Sequence, residues 1–212
     1  AALSLARDGH RVIATMRNLA KGEELRSATE GLDVEIRHLD VCDPASVEAA
    51  IGDAAELDVI VNNAGFVDAV SRTGDFDDDL WDRDVAVNLT GAYNVTKAVY
   101  PGMKERGWGR IVTMASIAGW RGSFAQISYS TTKSGLIGFG KTLALEGAKY
   151  GVTSNVLTPS IVRKGTPSDP PCRHAAYSPV PKSPNAVRAA AARVSGCLNQ
   201  SGVRSPRLNR RT

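Results

Sequence analysis

The alternation of short apolar segments with longer helical segments along residues 1–162 is the feature that most constrains the fold. Five apolar segments typical of strands lie at 11–15, 34–39, 57–61, 110–115 and 152–157. The segments between them have helical character, and Pro44 opens one of them at an early helical position. Strands separated by helices form βαβ units, whose strands are parallel and whose crossovers are right-handed. The alternation predicts an α/β domain with a doubly wound parallel sheet of the Rossmann kind.

The C-terminal end differs in composition from the rest of the chain. Residues 163–212 contain ten Lys or Arg and one acidic residue, so they carry a net charge of +9 against −5 for the preceding residues. They are rich in Pro, Ser and Ala, and this composition buries too little apolar surface to offset the entropy lost on ordering. We therefore expect a folded dinucleotide-binding and catalytic domain at 1–162 and a disordered basic tail at 163–212, with one short helix at 185–194.

Three side chains suggest a specific chemistry: Ser116, Tyr129 and Lys133. Tyr129 and Lys133 are four residues apart in a predicted helix at 127–150, so they lie one above the other on one face. A phenol is a poor acid at neutral pH, but a neighbouring ammonium favours its ionised form. A serine hydroxyl from a nearby strand end could hold a carbonyl or alcohol oxygen beside the phenol. The set is suited to moving a proton on and off a C–O group.

Each candidate residue also has a purely structural interpretation. A Tyr-x-x-x-Lys pair can occur on the surface of any helix, and Ser116 in Ser-Ile-Ala-Gly is typical of a turn at a strand end. Asn88 could be an amide inside a helix that bonds locally. The sequence Asn62-Asn63-Ala64-Gly65 could be a simple turn. The order of the motifs along the chain favours the chemical interpretation.

That order is Asn62-Asn63-Ala64-Gly65, then Asn88-Leu89-Thr90-Gly91, then Ser116, and thirteen residues later Tyr129-Ser-Thr-Thr-Lys133. In combination it resembles the short-chain dehydrogenase/reductase family, over residues 1–162. The segments 106–112 and 129–139 look most like one branch of this family. That branch contains the 3-oxoacyl-acyl-carrier-protein reductases of fatty acid biosynthesis and the acetoacetyl-CoA reductases. The resemblance implies an oxidoreductase that interconverts a ketone and a secondary alcohol with a nicotinamide cofactor, most specifically a 3-oxoacyl thioester reductase.

The resemblance implies a role for each catalytic candidate. Tyr129 would donate the proton in reduction, and Ser116 would hydrogen-bond the substrate oxygen. Lys133 would assist Tyr129, and both would contact the nicotinamide ribose. Asn88 would hold a water that links Lys133 to solvent.

Five further positions are candidates for cofactor binding: Arg17, Asp40, Asn62, Ala64 and Gly65. The resemblance places residues 62–65 near the adenosine ribose, with Asn62 also tying adjacent strands together. It places Asp40 near adenine, although a solvated loop aspartate is nearly as good an interpretation. The residues directly after the segment 11–15 include no acidic side chain that could bind a ribose 2′-hydroxyl. Arg17, which lies there, could instead pair with a 2′-phosphate. We therefore expect NADP(H) rather than NAD(H), with a merely exposed arginine as the alternative.

Two departures from the family bear on activity. The family opens with a strand and a glycine-rich turn that cradles the pyrophosphate, and this sequence begins inside the helix that follows that turn. We therefore expect the sheet to lack its first strand. The likeness fades after Pro159-Ser160, as it would in a frame-shifted or lineage-specific tail. The alternative function is a catalytically silent, truncated reductase that binds no dinucleotide.

Other classes of function are disfavoured by the sequence. No apolar run approaches the ~20 residues that span a bilayer. The three cysteines lack Cys-x-x-Cys spacing and the three histidines are scattered, which predicts reduced thiols in a cytoplasmic protein without a metal site. A third hypothesis is that the basic tail at 163–212 binds nucleic acid or another polyanion without sequence preference. We rank it last, because composition alone supports it and the three tryptophans do not alternate with basic residues. The resemblance implies homo-oligomers formed through helices at 80–105, interrupted near Pro101, and 127–150.

Overall fold

Six parallel strands form a single sheet in the part of the chain that the structure describes. A computed structural model of the chain describes residues 1–52, 56–160 and, as backbone, 188–192. The strands are β1 Arg11–Met16, β2 Val34–His38, β3 Val59–Asn62, β4 Gly109–Met114, β5 Val152–Leu157 and β6 Arg188–Ala192. Their order across the sheet is β2-β1-β6-β3-β4-β5. The predicted doubly wound parallel sheet is confirmed.

Helices connect the strands and cover the sheet. They are α1 Ala2–Arg7, α2 Glu23–Ala28, α3 Pro44–Ile51, α4 Asp78–Val85, α5 Gly91–Arg106, α6 Ile117–Arg121 and α7 Ile127–Gly147. Local sequence explains where two of them begin: the Asp43 side chain accepts a hydrogen bond from the Ala45 N–H before α3, and Asp77 caps α4 in the same way through Leu80. Four consecutive residues of β1 are buried, because helices cover both faces of a parallel sheet.

The strand β6 lies at the centre of the sheet. It pairs in parallel with β1 on one side and with β3 on the other, so the two central strands are not left unpaired. The helix expected at 185–194 is wrong: the backbone at 188–192 is extended, because pairing with two neighbouring strands overrides the helical preference of alanine. The predictions for the rest of the tail beyond residue 160 lie outside the described residues.

The long helical segment that follows β3 is irregular at a different place from the one expected. Residues 78–106 are continuously helical, and Pro101 lies inside α5 without ending it. The irregularity is a π-helical turn at Ala86–Thr90. Such turns carry one extra residue in the helix and occur often at functional sites. This one contains Asn88.

Candidate active site

The predicted site residues gather at the carboxyl edge of the sheet. Arg17 follows β1, Asp40 follows β2, residues 62–65 end β3 and Ser116 follows β4. From β1 the chain moves outward to β2, whereas from β3 it moves outward in the other direction to β4 and β5, with β6 between the halves. Open α/β sheets bind ligands at the carboxyl edge where the strand order reverses. The topology therefore brings motifs from distant parts of the sequence to one edge.

Ser116 begins a short helix, α6, that the sequence analysis did not predict. The Ala118 N–H donates to the Ser116 Oγ at 3.1 Å, so the serine is the side-chain cap of α6. Ser116 therefore has a structural role, but as a helix cap rather than as the strand-end turn of the structural interpretation. The side chain is 8% exposed, and its hydroxyl hydrogen has no acceptor within the described part of the chain. Ser116 can still donate to a ligand oxygen.

Close packing holds α6 against the helix that carries Tyr129 and Lys133. Gly119, in the middle of α6, lies directly on the backbone of Lys133 and Ser134, and any side chain there would collide with it. Only glycine permits this approach. The position of Ser116 relative to α7 is thus determined by backbone contact between the two helices.

Lys133 is buried beneath the site. Its side chain is 4% exposed, and its Nζ donates to the Met114 carbonyl oxygen at 2.8 Å, at the end of β4. The same Nζ lies 5.7 Å from the centre of the Tyr129 ring. Burial lowers the pKa of Lys133 from 10.5 to about 8, because it penalises the charged ammonium. Tyr129 and Lys133 therefore stack as the four-residue spacing predicts.

Burial of Lys133 leads to a testable pH dependence of stability. Below about pH 8 both the folded and the unfolded chain carry the proton, and the folded chain bears the full desolvation cost. Between about pH 8 and 10.5 the unfolded chain keeps a proton that the folded chain has lost, so stability rises with pH. We expect the free energy of unfolding of the parent, relative to Lys133→Met, to rise by about 3 kcal/mol across this window. Urea unfolding of both proteins as a function of pH measures this difference in stability. A difference that stays constant with pH would contradict the lowered pKa of a buried Lys133 amine.

Asn88 joins the loop after β3 to the same cluster. It is fully buried; its Oδ1 accepts from the Phe66 N–H at 2.9 Å, and its Nδ2 donates to the Phe66 carbonyl oxygen at 3.0 Å. A side-chain carbon on Gly65 would lie 3.0 Å from both the Asn88 Oδ1 and the Lys133 Nζ. The Asn88 and Lys133 side chains therefore both lie beside Gly65, where a side chain would have no room. The role of Asn88 in holding a water stays a prediction, and the visible role of its amide is to fix the loop.

The Tyr129 hydroxyl has no hydrogen-bonding partner among the residues that the structure describes, although its ring contacts Lys133. Trp120, one helical turn beyond Ser116, is exposed rather than packed in the core. Both side chains are consequently available to a ligand at this edge. The cluster has a proton donor, a second hydroxyl donor and a buried amine, which are the groups needed to protonate a carbonyl oxygen.

The predicted cofactor residues fall into two groups. Asn62 is turned into the core, where its Nδ2 donates to the Thr96 Oγ1 at 2.9 Å and lies 3.5 Å from the Thr113 Oγ1. It ties β3 to α5 and β4, and any contact with a ligand would come from its backbone. Ala64 packs against the core from the same loop.

The second group lies beyond β1 and β2. The Asp40 carboxylate accepts from the Cys42 N–H at 2.9 Å, and the Asp40 N–H donates to the Ser46 Oγ at 2.9 Å. Burial and the Asp40 charge raise the pKa of the Cys42 thiol, while the positive charge of Arg17 acts in the opposite direction. Arg17, Asp40 and Cys42 therefore share one neighbourhood. Arg17 is exposed and forms no ion pair within the described ranges, so its guanidinium is available to an anion.

The described residues offer neither a metal-binding cluster nor a membrane-spanning helix. No group of three or more His, Cys, Asp or Glu side chains in the described part of the chain is placed to hold a metal ion. No described helix is both long enough and apolar enough to cross a membrane.

Comparison with known proteins places the chain. Residues 1–174 match the profile of a family described as short chain dehydrogenase. An acetoacetyl-CoA reductase of Cupriavidus necator is 41% identical over 167 residues, which are 74% of this chain and 67% of that protein. The result agrees with the branch that the motifs indicate.

Two solved structures share the fold. An actinorhodin polyketide ketoreductase with NADPH is 38% identical, with a TM-score of 0.68 over 74% of this chain and 63% of that one. An NAD+-bound xylitol dehydrogenase is 32% identical, with a TM-score of 0.68 over 75% of this chain and 64% of that one. The chain spans roughly two thirds of the length of each of these three proteins.

Proposed function

Because this chain belongs to the short chain dehydrogenase family, a family of oxidoreductases, we propose that it reduces a 3-oxoacyl thioester to the 3-hydroxyacyl thioester with NADPH. The observation that carries the proposal is the cluster of Ser116, Tyr129 and Lys133 at the carboxyl edge of the sheet. The likeness to an acetoacetyl-CoA reductase supports the thioester substrate.

The three side chains act on the substrate oxygen. The nicotinamide, when bound, supplies the hydride to the carbonyl carbon. The Ser116 hydroxyl donates a hydrogen bond to the carbonyl oxygen and orients it, and the Tyr129 hydroxyl gives its proton to that oxygen as negative charge develops there. The Lys133 ammonium, held beneath the Tyr129 ring by the Met114 carbonyl, stabilises the phenolate that remains.

The residues present fit a dinucleotide at this edge. Arg17 offers an available guanidinium beyond β1, and Lys133 offers a buried amine whose one acceptor among the described residues is the Met114 carbonyl. Gly65 brings the backbone of the loop after β3 close to Lys133, without a side chain between them. Arg17 would hold the adenosine half of the dinucleotide, and Lys133 would hold the nicotinamide half.

Arg17 supports NADP(H) over NAD(H), since a planar guanidinium pairs well with a 2′-phosphate. The two structural neighbours differ, one with NADPH and the other with NAD+. We expect Arg17→Ala to raise the KM for NADPH about ten- to a hundredfold, because it removes a charge-assisted pair of about 1.5–3 kcal/mol. The KM for NADH should change little. Steady-state kinetics with both cofactors measures the ratio, and Arg7→Ala, an exposed arginine on α1, is the control. Equal loss with both cofactors would contradict the assignment.

The competing function is a silent protein that binds no dinucleotide. Thermal unfolding with and without NADPH distinguishes the two, because a ligand that binds the native state must raise Tm. We expect NADPH to raise Tm and acetoacetyl-CoA to be reduced. A protein that melts cooperatively with Tm unchanged by either nucleotide would establish the silent alternative.

Self-association is proposed through α5 and α7. A cavity of about 370 Å³ opens between them, lined by apolar and aromatic side chains that include Tyr93, Tyr100, Phe139 and Leu143. Leu145 is 82% exposed on α7 and Tyr93 is exposed on α5. Exposed apolar surface of this kind marks an interface.

We expect the protein to elute from gel filtration as a dimer or larger and Leu145→Glu to weaken self-association at least about tenfold, because a buried unpaired carboxylate opposes it. Val70→Glu, at an apolar position in the loop after β3 that is 69% exposed, is the control. A monomeric parent would contradict the proposal.

A further inference from the structure

A buried carboxylate on α4 holds the first turn of α7, the helix that carries Tyr129 and Lys133. The Ser128 Oγ donates to the Asp84 Oδ2 at 2.6 Å, across 44 residues of sequence. Both side chains are only 1% exposed. Ser128 immediately precedes Tyr129, so the contact lies at the end of α7 that bears the proposed proton donor.

The helix α7 has no cap of its own at that end. Gln126, at the cap position, makes no side-chain hydrogen bond to the helix, and the first turn contains no acidic residue. The first N–H groups of a helix carry a partial positive charge that a nearby carboxylate stabilises. Asp84, on a neighbouring helix, brings a negative charge to this end of α7. The hydrogen bond that it accepts from the Ser128 hydroxyl also has a fixed direction.

The other contacts of Asp84 lead back to the loop after β3. Its Oδ1 lies 3.5 Å from the Arg83 guanidinium, which lies 3.4 Å from the Asp68 carboxylate and 4.8 Å over the Phe66 ring. Phe66 is the residue whose backbone Asn88 holds. The network therefore connects this loop to the start of α7.

Stability alone does not account for this arrangement. Within the part of the chain that the structure describes, the buried Asp84 carboxylate has one hydroxyl at short distance and one long contact to a half-exposed guanidinium. A buried carboxylate with so few partners is commonly no more stable than an apolar pair of similar volume. What the hydrogen bond adds is a definite position for Ser128.

We propose that Asp84 is a positioning residue for Tyr129. By holding Ser128, it sets the place and direction of the first turn of α7, and so the position of the Tyr129 hydroxyl relative to the Ser116 hydroxyl. The inference deepens the proposed reductase function and rests on it, because the position matters for proton transfer to a substrate oxygen.

The test compares kcat with KM in matched variants. Ser128→Ala and Asp84→Val should each lower kcat about tenfold, equivalent to about 1.4 kcal/mol in the barrier, with the KM for NADPH unchanged. Ser128→Thr, which keeps the hydroxyl, should retain parental kcat. The double variant should lose no more than either single variant, because the two side chains act as one unit. Asp82→Asn, an exposed aspartate on the same helix, is the control.

Stability measurements separate positioning from folding. The double variant replaces the buried polar pair by an apolar one and should melt at or above the parental Tm while kcat stays reduced. If kcat falls only in proportion to lost folded protein, or if Ser128→Ala matches Asp82→Asn, the proposal is overturned.

A readout without catalysis keeps the two proposals distinct. Amide hydrogen exchange at residues 129–131 should become about tenfold faster in Ser128→Ala, since the first turn loses its anchor. If the parent reduces no ketone, the proposed function fails, and exchange still decides whether Asp84 positions the turn. Unchanged exchange would refute the positioning.

Discussion

Tyr129→Phe is expected to lower kcat for ketone reduction by about 10²–10⁴-fold while leaving the affinity for NADPH nearly unchanged. The substitution removes one oxygen, and with it the proton that the carbonyl oxygen must receive. The ring stays against the Lys133 amine, so the packing that holds the lysine is retained. Steady-state kinetics together with a thermal shift by NADPH measures the two quantities separately.

The matched control is Tyr150→Phe. Tyr150 follows the same helical run at its other end, about 30 Å from Tyr129 along the axis. Its loss of a hydroxyl should leave kcat within about twofold of the parent, a change of less than 0.5 kcal/mol in the barrier. Equal effects of the two substitutions, or a Tyr129→Phe protein with full activity, would exclude Tyr129 as the proton donor.

Ala190→Pro in β6 is expected to unfold the domain or to cost about 3 kcal/mol or more in stability. Residue 190 pairs with Ile13 of β1 and with Ile60 of β3, at the centre of the sheet. Proline has no N–H for the ladder and is not tolerated in a central strand. Circular dichroism during heating measures the loss.

Thr73→Pro is the control for the proline itself. Thr73 opens a short 3₁₀ turn in an exposed loop, and Arg72 before it has the extended conformation that a following proline requires. The free energy of unfolding of the Thr73→Pro protein should stay within about 0.5 kcal/mol of the parental value. If Ala190→Pro melts like the parent, β6 does not hold the two halves of the sheet together.

Local pattern explains why much of the site could be predicted. The strands β1 and β3 are short, mostly buried runs, and β4 alternates buried with half-buried residues. Each is followed by polar or small residues that must lie at one edge of a parallel sheet. The stacking of Tyr129 and Lys133 follows from helical periodicity alone. The order of the motifs along the chain carried the family resemblance, and the matched profile agrees with it.

Other features had no local signal. The sequence Arg188 to Ala192 favours a helix by composition, yet it lies in the sheet because two strands offer it hydrogen bonds on both sides. The π-helical turn at Asn88 replaced the interruption expected at Pro101. The sequence Ser-Ile-Ala-Gly at the start of α6 is typical of a turn and does not predict a helix. Gly119 allows α6 to lie on α7.

The sequence by itself determined which residues are able to carry the chemistry and at which edge of the sheet they lie, since both depend on spacing over a few residues. Only the tertiary structure decided their state. Burial lowers the pKa of Lys133, and a carboxylate 44 residues away from Ser128 anchors the helix that bears Tyr129. Desolvation and contacts between distant segments exist only once the chain is packed, and for that reason no local pattern could have revealed them.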